Sequence, residues 1–253
     1  MPNNQISFSG KIHQILHSEI GNQLLIHISE KEQLDSIHLV DIDSKETLMT
    51  WNANKDTPNL SIRSFDSERI VAISFSQIQN PDLVDVLVYD WKEDEPIYVF
   101  PNTKLIASNA NMLEIKHPMI ENKTRKIDLS SGNEVSQNVN IESNEMENVH
   151  FPKTYDSSSA YFIWFEKILN QEGKSPKIQC EHMEYHKTHL ISYYEQLNKS
   201  LTNYLSIIDK NGKFQESFTL ASDLKGIGND TFFVIENKTI FVTNHNTLNV
   251  YHL

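Results

Sequence analysis

The chain has 253 residues, 38% of them hydrophobic, and a formal net charge of −12. That length suits one all-β domain or two small ones and is enough to bury a core. The acidic balance disfavours a phosphate backbone or an anionic membrane surface as the main partner. Cys180 is the only cysteine, so no internal disulfide forms, which fits a reducing compartment. Met1 to Phe8 contain no basic segment followed by an apolar one, and no apolar run is long enough to span a bilayer. A cytoplasmic location is expected.

In chain order, the first predicted unit has strands at 11–16, 24–28, 36–42 and 47–51. Its opening segment alternates and then turns apolar, as a half-buried strand does. The second has strands at 60–64, 70–75, 85–90 and 96–100, and the third at 104–107, 112–116, 125–128 and 134–139. A polar, acidic stretch at 138–148 reads as a loop. A fourth unit holds 148–151, 161–166 and 177–184, and a fifth holds 188–194, 203–209 and 213–220. A sixth holds 224–227, 231–235, 239–243 and 248–253. The fourth and fifth can also be read as one distorted unit. Short helical turns are expected at 66–68 and 194–201, with no alternation of strands and long helices.

One phrase marks the period: an apolar strand runs into an Asp and a polar turn follows. It occurs at Ile37–Asp43, Val86–Asp90, Lys126–Asp128 and Leu205–Asp209, with spacings of 47, 38 and 81 residues. A period near 40 built from strands points to an all-β fold, a single β-propeller over residues 1–253 with about six four-stranded blades, five to seven being open. The Asp has a local reason: its side chain accepts from backbone N–H groups of the turn that starts an outer strand. The segment Gln5-Ile6-Ser7-Phe8 is expected to pair beside the last strand and close the ring.

The run Leu224-Lys225-Gly226-Ile227-Gly228-Asn229-Asp230-Thr231-Phe232-Phe233, with Ile191–Tyr194 and Asn203-Tyr204-Leu205, resembles an uncharacterised bacterial family of propeller-like proteins. The likeness extends over nearly the whole chain. Ser9-Gly10-Lys11-Ile12 resembles the family's opening, with His13 where an aromatic commonly stands. Asp128 to Glu134 also resembles the repeat of quinone-cofactor propeller enzymes, but their Trp is missing from 135–139. The resemblance implies a propeller fold and carries over no activity and no catalytic residue.

Three segments are candidates for chemistry. Cys180, His182, Glu184 and His186 would share one strand face, and Cys180, His182 and His186 are the candidate metal ligands. Their linear spacing and a turn at 185–187 argue for an ordinary polar strand edge instead. Tyr161–Glu166 reads as a buried strand with Trp164 and Glu166 as candidate ligand contacts. Lys225 and Asp230, flanking two glycines, are the other candidate ligand contacts, although no helix follows to make a phosphate loop. No nucleophile elbow, zinc-protease or Walker motif occurs, and no catalytic residue is assigned. The chain therefore reads as a non-catalytic binding scaffold, with a hydrolase or lyase at the central channel as the alternative. No cofactor is expected. The expected partner is a protein or a small molecule, with no nucleic acid and no membrane, bound by a monomer.

Overall fold

The computed structural model describes residues 5–18, 22–29, 35–52, 60–66, 68–75, 83–93, 95–109, 111–116, 124–136 and 148–253. The end of the strand expected at 134–139 and nearly all of the loop expected at 138–148 lie outside these. The chain divides into two compact units, His13–Met146 on the one hand and Met1–Ile12 with Glu147–Leu253 on the other. Both are built of antiparallel sheets. Among the described residues, no helix is long and apolar enough to cross a membrane.

The chain opens on a short strand, β1 (Gln5–Ser7), whose partner lies at the far end of the sequence. The unit His13–Met146 then takes shape from β2 (Lys11–His17), β3 (Gln23–Ser29), β4 (Ser36–Asp41) and β5 (Glu46–Asn52), a four-stranded sheet in sequence order. β6 (Leu60–Phe65), β7 (Arg69–Ser74), β8 (Val84–Asp90) and β9 (Tyr98–Ser108) continue with β10 (Met112–Lys116), β11 (Arg125–Asp128) and β12 (Glu134–Val135) as one seven-stranded sheet. The near-continuous apolar runs in β3, β7 and β8 mark strands covered on both faces. Leu25, Ile37, Leu39 and Trp51 pack on Ile62, Ile70, Leu87 and Tyr89. The opposite face of β7 and β8, with Val71, Ile73, Val86 and Val88, packs on Leu113, Ile115 and Ile127. Two indoles lock the first of these layers: Trp51 Nε1 donates to Glu93 O at 3.1 Å and Trp91 Nε1 to Asp66 O at 2.9 Å.

The separate strands expected at 96–100 and 104–107 are one strand. β9 pairs with β8 through its first half and with β10 through its second. Pro101-Asn102 stand out of register opposite Asp85, and the change of partner follows between Thr103, opposite Val84, and Lys104, opposite Lys116. Proline has no N–H to give the ladder. Asn102, at φ +50°, donates its N–H to the Asp85 carboxylate at 2.9 Å.

The second unit contains β13 (Val149–His150), β14 (Lys153–Asp156), a helix α1 (Ala160–Asn170), β15 (Lys177–Tyr185), β16 (Thr188–Leu197), β17 (Ser200–Ile208) and β18 (Phe214–Leu224). It ends with β19 (Phe232–Ile235), β20 (Lys238–Thr243) and β21 (Thr247–His252). β14 to β18 form one five-stranded sheet in sequence order, so the fourth and fifth expected units merge. The last sheet has the order β1-β21-β20-β19-β13, taking its two edges from distant parts of the chain. β1 pairs with β21 in the register Gln5↔Asn249, Ile6↔Leu248 and Ser7↔Thr247.

Three predicted elements are corrected. Residues 161–166, expected as a buried strand, lie in α1. The run of apolar residues hides a helical period, because the buried positions are Phe162, Phe165 and Leu169. Ser159 caps the helix by accepting from Tyr161 N, and Gly173 at φ +69° follows its end. Residues 194–201, expected as helical, are the end of β16, a turn with Asn198 at φ +58°, and the start of β17. The expected strand at 224–227 is likewise loop beyond its first residue.

The repeated Asp is a turn device. Asp41 accepts from Asp43 N at 3.0 Å and Ser44 N at 2.8 Å, Asp90 from Lys92 N at 2.9 Å, and Asp209 from Asn211 N at 2.8 Å. Asp128 accepts from Ser131 N at 2.8 Å and from the Ser130 hydroxyl, and these bonds hold its carboxyl below the usual range. Asp66 and Asp156 make the same turn. A second repeat lies beside the first. The N–H following the strand donates to the carbonyl before the neighbouring strand in Ile42→Asn22, Trp91→Glu68, Leu129→Asn111 and Leu253→Asn237, at 2.9, 3.1, 2.9 and 2.9 Å.

Candidate functional site

The β14–β18 sheet has two differently used faces. On one, Met183, Leu190, Leu205 and Ile207 meet Phe232, Val234 and Phe241 of the last sheet. On the other, Cys180, Ile191, Tyr193 and Ile208 are covered by Phe162, Phe165 and Leu169 of α1. Burying those three helix side chains contributes about 1.5–3 kcal/mol each. The helix covers only part of this face. Where its N-terminal half meets the β15–β16 hairpin a cleft of about 470 Å³ remains.

The cleft is lined by Tyr161, Trp164 and Phe165 of α1, by Tyr155 of β14, and by His182, Glu184 and His189 of the hairpin. His182 and Glu184 are two residues apart on β15, and His189 stands directly across from Glu184 on β16. His182 Nε2 and His189 Nδ1 are hydrogen-bonded at 3.2 Å, their rings stacked at 27°. Trp164 meets both rings at a steep angle, 69° to His182 and 70° to His189. Burial, and then the neighbouring His189, push the His182 pKa down to about 4. The ring is neutral at physiological pH and able to hydrogen-bond without bringing a charge.

The structure brings together Trp164 and His182 of the sequence candidates and separates the rest. Cys180 is fully buried under α1. Burial, and then the Glu166 charge, push its thiol up to about 12, which leaves it protonated and a poor metal ligand. Glu166 is half-buried on α1. His186 lies in the two-residue turn of the β15–β16 hairpin, where it and Lys187 take φ of 47° and 69°, and its ring packs on Tyr185. Among the described residues no three His, Cys, Asp or Glu groups are placed to hold a metal.

Lys225 and Asp230 are exposed on the β18–β19 connection. That loop is tied down from the sheet. The Tyr194 hydroxyl accepts from Gly228 N at 2.8 Å, and Gln179 Nε2 donates to Asn229 Oδ1 at 3.0 Å. Glu181, 1% exposed, accepts from Asp230 N at 2.6 Å and from Thr231 N at 3.0 Å. The glycine-bearing segment is thus held by a buried polar network. Sequence reasoning missed Tyr155 and Tyr161 as cleft residues and missed His189. The turn expected at 185–187 was the available signal, since folding the strand back there sets His189 across from Glu184.

No family model matches the chain, and no curated protein matches it. Among solved structures, the β-propeller domain of Cps50 (Swd1) from Myceliophthora thermophila is 13% identical, covering 99% of this chain and 75% of that one at a TM-score of 0.33. A Kluyveromyces Hsv2 with one loop replaced by a Gly-Ser linker is 12% identical, covering 96% and 98% at 0.39. The uncharacterized protein lmo1340 from Listeria monocytogenes is 10% identical, covering 97% and 82% at 0.34.

Proposed function

We propose that the chain is a single β-propeller domain over residues 1–253, akin to uncharacterised bacterial propeller-like proteins, and that it is a non-catalytic binding module. Its ligand, a small molecule or a protein side chain, seats in the cleft between α1 and the β15–β16 hairpin. The reading includes a monomeric, cytoplasmic protein. The blade assignment draws on the strand-to-turn hydrogen bond repeated at Asn22, Glu68, Asn111 and Asn237, and on the β1–β21 pairing. The observation that carries the binding role is the lining of the cleft. Its aromatic rings are left partly open, Trp164 at 40% and Tyr161 at 65%, around a few hydrogen-bonding groups, as small-ligand sites are built. The two imidazoles there are bonded to each other rather than to a nucleophile.

The test is a thermal-shift screen of a metabolite library against the wild type and Trp164→Ala, followed by calorimetry of the hits. Compounds that raise the melting temperature of the wild type and leave the variant unmoved are expected. A set of hits shared equally by both proteins, or turnover of any hit, would overturn the reading.

A further inference from the structure

We propose that the cleft is selective for an alkylated ammonium group. This rests on its being the binding site and adds the chemistry of the ligand. Shape is the first argument. A flat aromatic ligand needs near-parallel walls, but the cleft's rings are inclined: Tyr155 to Tyr161 at 53°, Tyr155 to Phe165 at 60°, Trp164 to His182 at 69°. The near-parallel pair, His182 and His189, is closed by its own hydrogen bond, so nothing inserts between them. Such walls enclose a compact, rounded group.

Charge is the second argument. The π faces of Trp and Tyr are negative and attract a cation near the ring. Among the described residues that line the cleft, Glu184 is the one that carries a formal charge beside the hydrogen-bonded imidazoles, and it is negative. The chain as a whole carries −12. Anions are repelled by the same features. A bare ammonium would have to shed strongly held water with few acceptors to replace it. An alkylated ammonium spreads its charge over methyl groups that aromatic walls solvate well.

The experiment is calorimetric titration of the full chain with three probes: choline, a short peptide carrying Nε-trimethyllysine, and 3,3-dimethylbutan-1-ol, the neutral isostere of choline. A cationic probe is expected to bind at least about tenfold more tightly than the isostere. Trp164→Leu, which keeps an apolar side chain but removes the π face, should lose about tenfold, and Glu184→Gln, at an exposed position, a few-fold. Preference for the peptide identifies a protein side chain as the source and preference for choline a free small molecule; either supports the inference. Equal binding of cation and isostere would overturn the inference and leave the cleft a binding site. Binding of neither cation, with hits from the metabolite screen still lost in Trp164→Ala, would overturn it in the same way. Failure of every probe and of the screen would remove both readings.

Discussion

Glu181 offers a sharp test of how the second unit is held together. Its Oε1 takes the Asp230 N–H at 2.6 Å, and Oε2 takes the Thr231 N–H at 3.0 Å and lies 2.6 Å from the Thr231 hydroxyl. The Thr231 hydroxyl is in turn 2.7 Å from Ser192 Oγ, which donates to Asn203 Oδ1 at 3.0 Å. In Glu181→Gln one acceptor oxygen becomes an NH₂ donor. One backbone N–H then faces a donor, the other keeps a neutral instead of a charged partner, and the threonine hydroxyl can turn round to accept. With charge-assisted bonds at about 1.5–3 kcal/mol and neutral ones at about 1, the loss comes to about 2–4 kcal/mol. Glu181→Ala leaves three donors unmet beside a new cavity and should cost about 4–6 kcal/mol. Urea unfolding at neutral pH measures both, and amide hydrogen exchange at Asp230 and Thr231 should quicken in each variant. A Glu181→Gln protein within about 0.5 kcal/mol of wild type, with exchange unchanged, would refute the argument that this carboxylate anchors the β18–β19 loop.

Acid should destabilise the fold through its buried histidines. His182 has a folded pKa of about 4, and burial lowers His17 and His27 as well. Between the ordinary value of 6.5 and about 4 the unfolded chain therefore binds more protons than the folded one, so stability falls as pH drops through this window and is unaffected above it. Melting temperatures at steps from pH 7.5 to 4.5 measure the slope, which should be shallower in His182→Phe; an identical slope would count against the assignment. Gly132 has φ +70° and a Cβ there would lie 2.7 Å from Tyr98 Cζ, whereas Gly212, at φ +81°, has open space around it. Gly132→Ala should cost about 2–4 kcal/mol and Gly212→Ala about 1, and equal effects in denaturant unfolding would contradict the packing of Tyr98 on this turn. Deleting residues 1–9 removes β1 from β21 and exposes a strand edge, so the melting temperature should fall by several degrees. An unchanged value would mean that the pairing contributes nothing to stability.

Most strands were legible because their signal is local. The apolar runs at 24–28, 36–42, 70–75 and 85–90 alternate or persist in ways that only a half-covered or fully covered strand explains, and β3, β4, β7 and β8 lie on them within a residue or two. The Asp turns were legible for the same reason, since the carboxylate and the N–H groups it accepts are two to four residues apart. The pairing of Gln5–Ser7 with the last strand was also anticipated, from the need of an edge for a partner. Segment 161–166 was misread because five aromatic and apolar residues in succession carry no period that decides between strand and helix. What decides it is Ser159 at the cap and the distant Cys180, Ile191 and Tyr193 that accept Phe162, Phe165 and Leu169.

The site divides along the same line. The residue types of the cleft, a Trp and two histidines beside a carboxylate, stand in the sequence. Their meeting depends on a hairpin turn at His186-Lys187 and on a helix laid across the returning strands. The sequence by itself determined a chain of β-strands joined by Asp-capped turns, because each of those features is set by neighbours a few residues away. Only the tertiary structure decided that two expected units merge around a helix, that Glu181 is an anchor, and that Trp164, His182 and His189 line one cleft. Those outcomes depend on which surfaces separated segments bury against each other, and no window of local sequence contains both sides of such a contact.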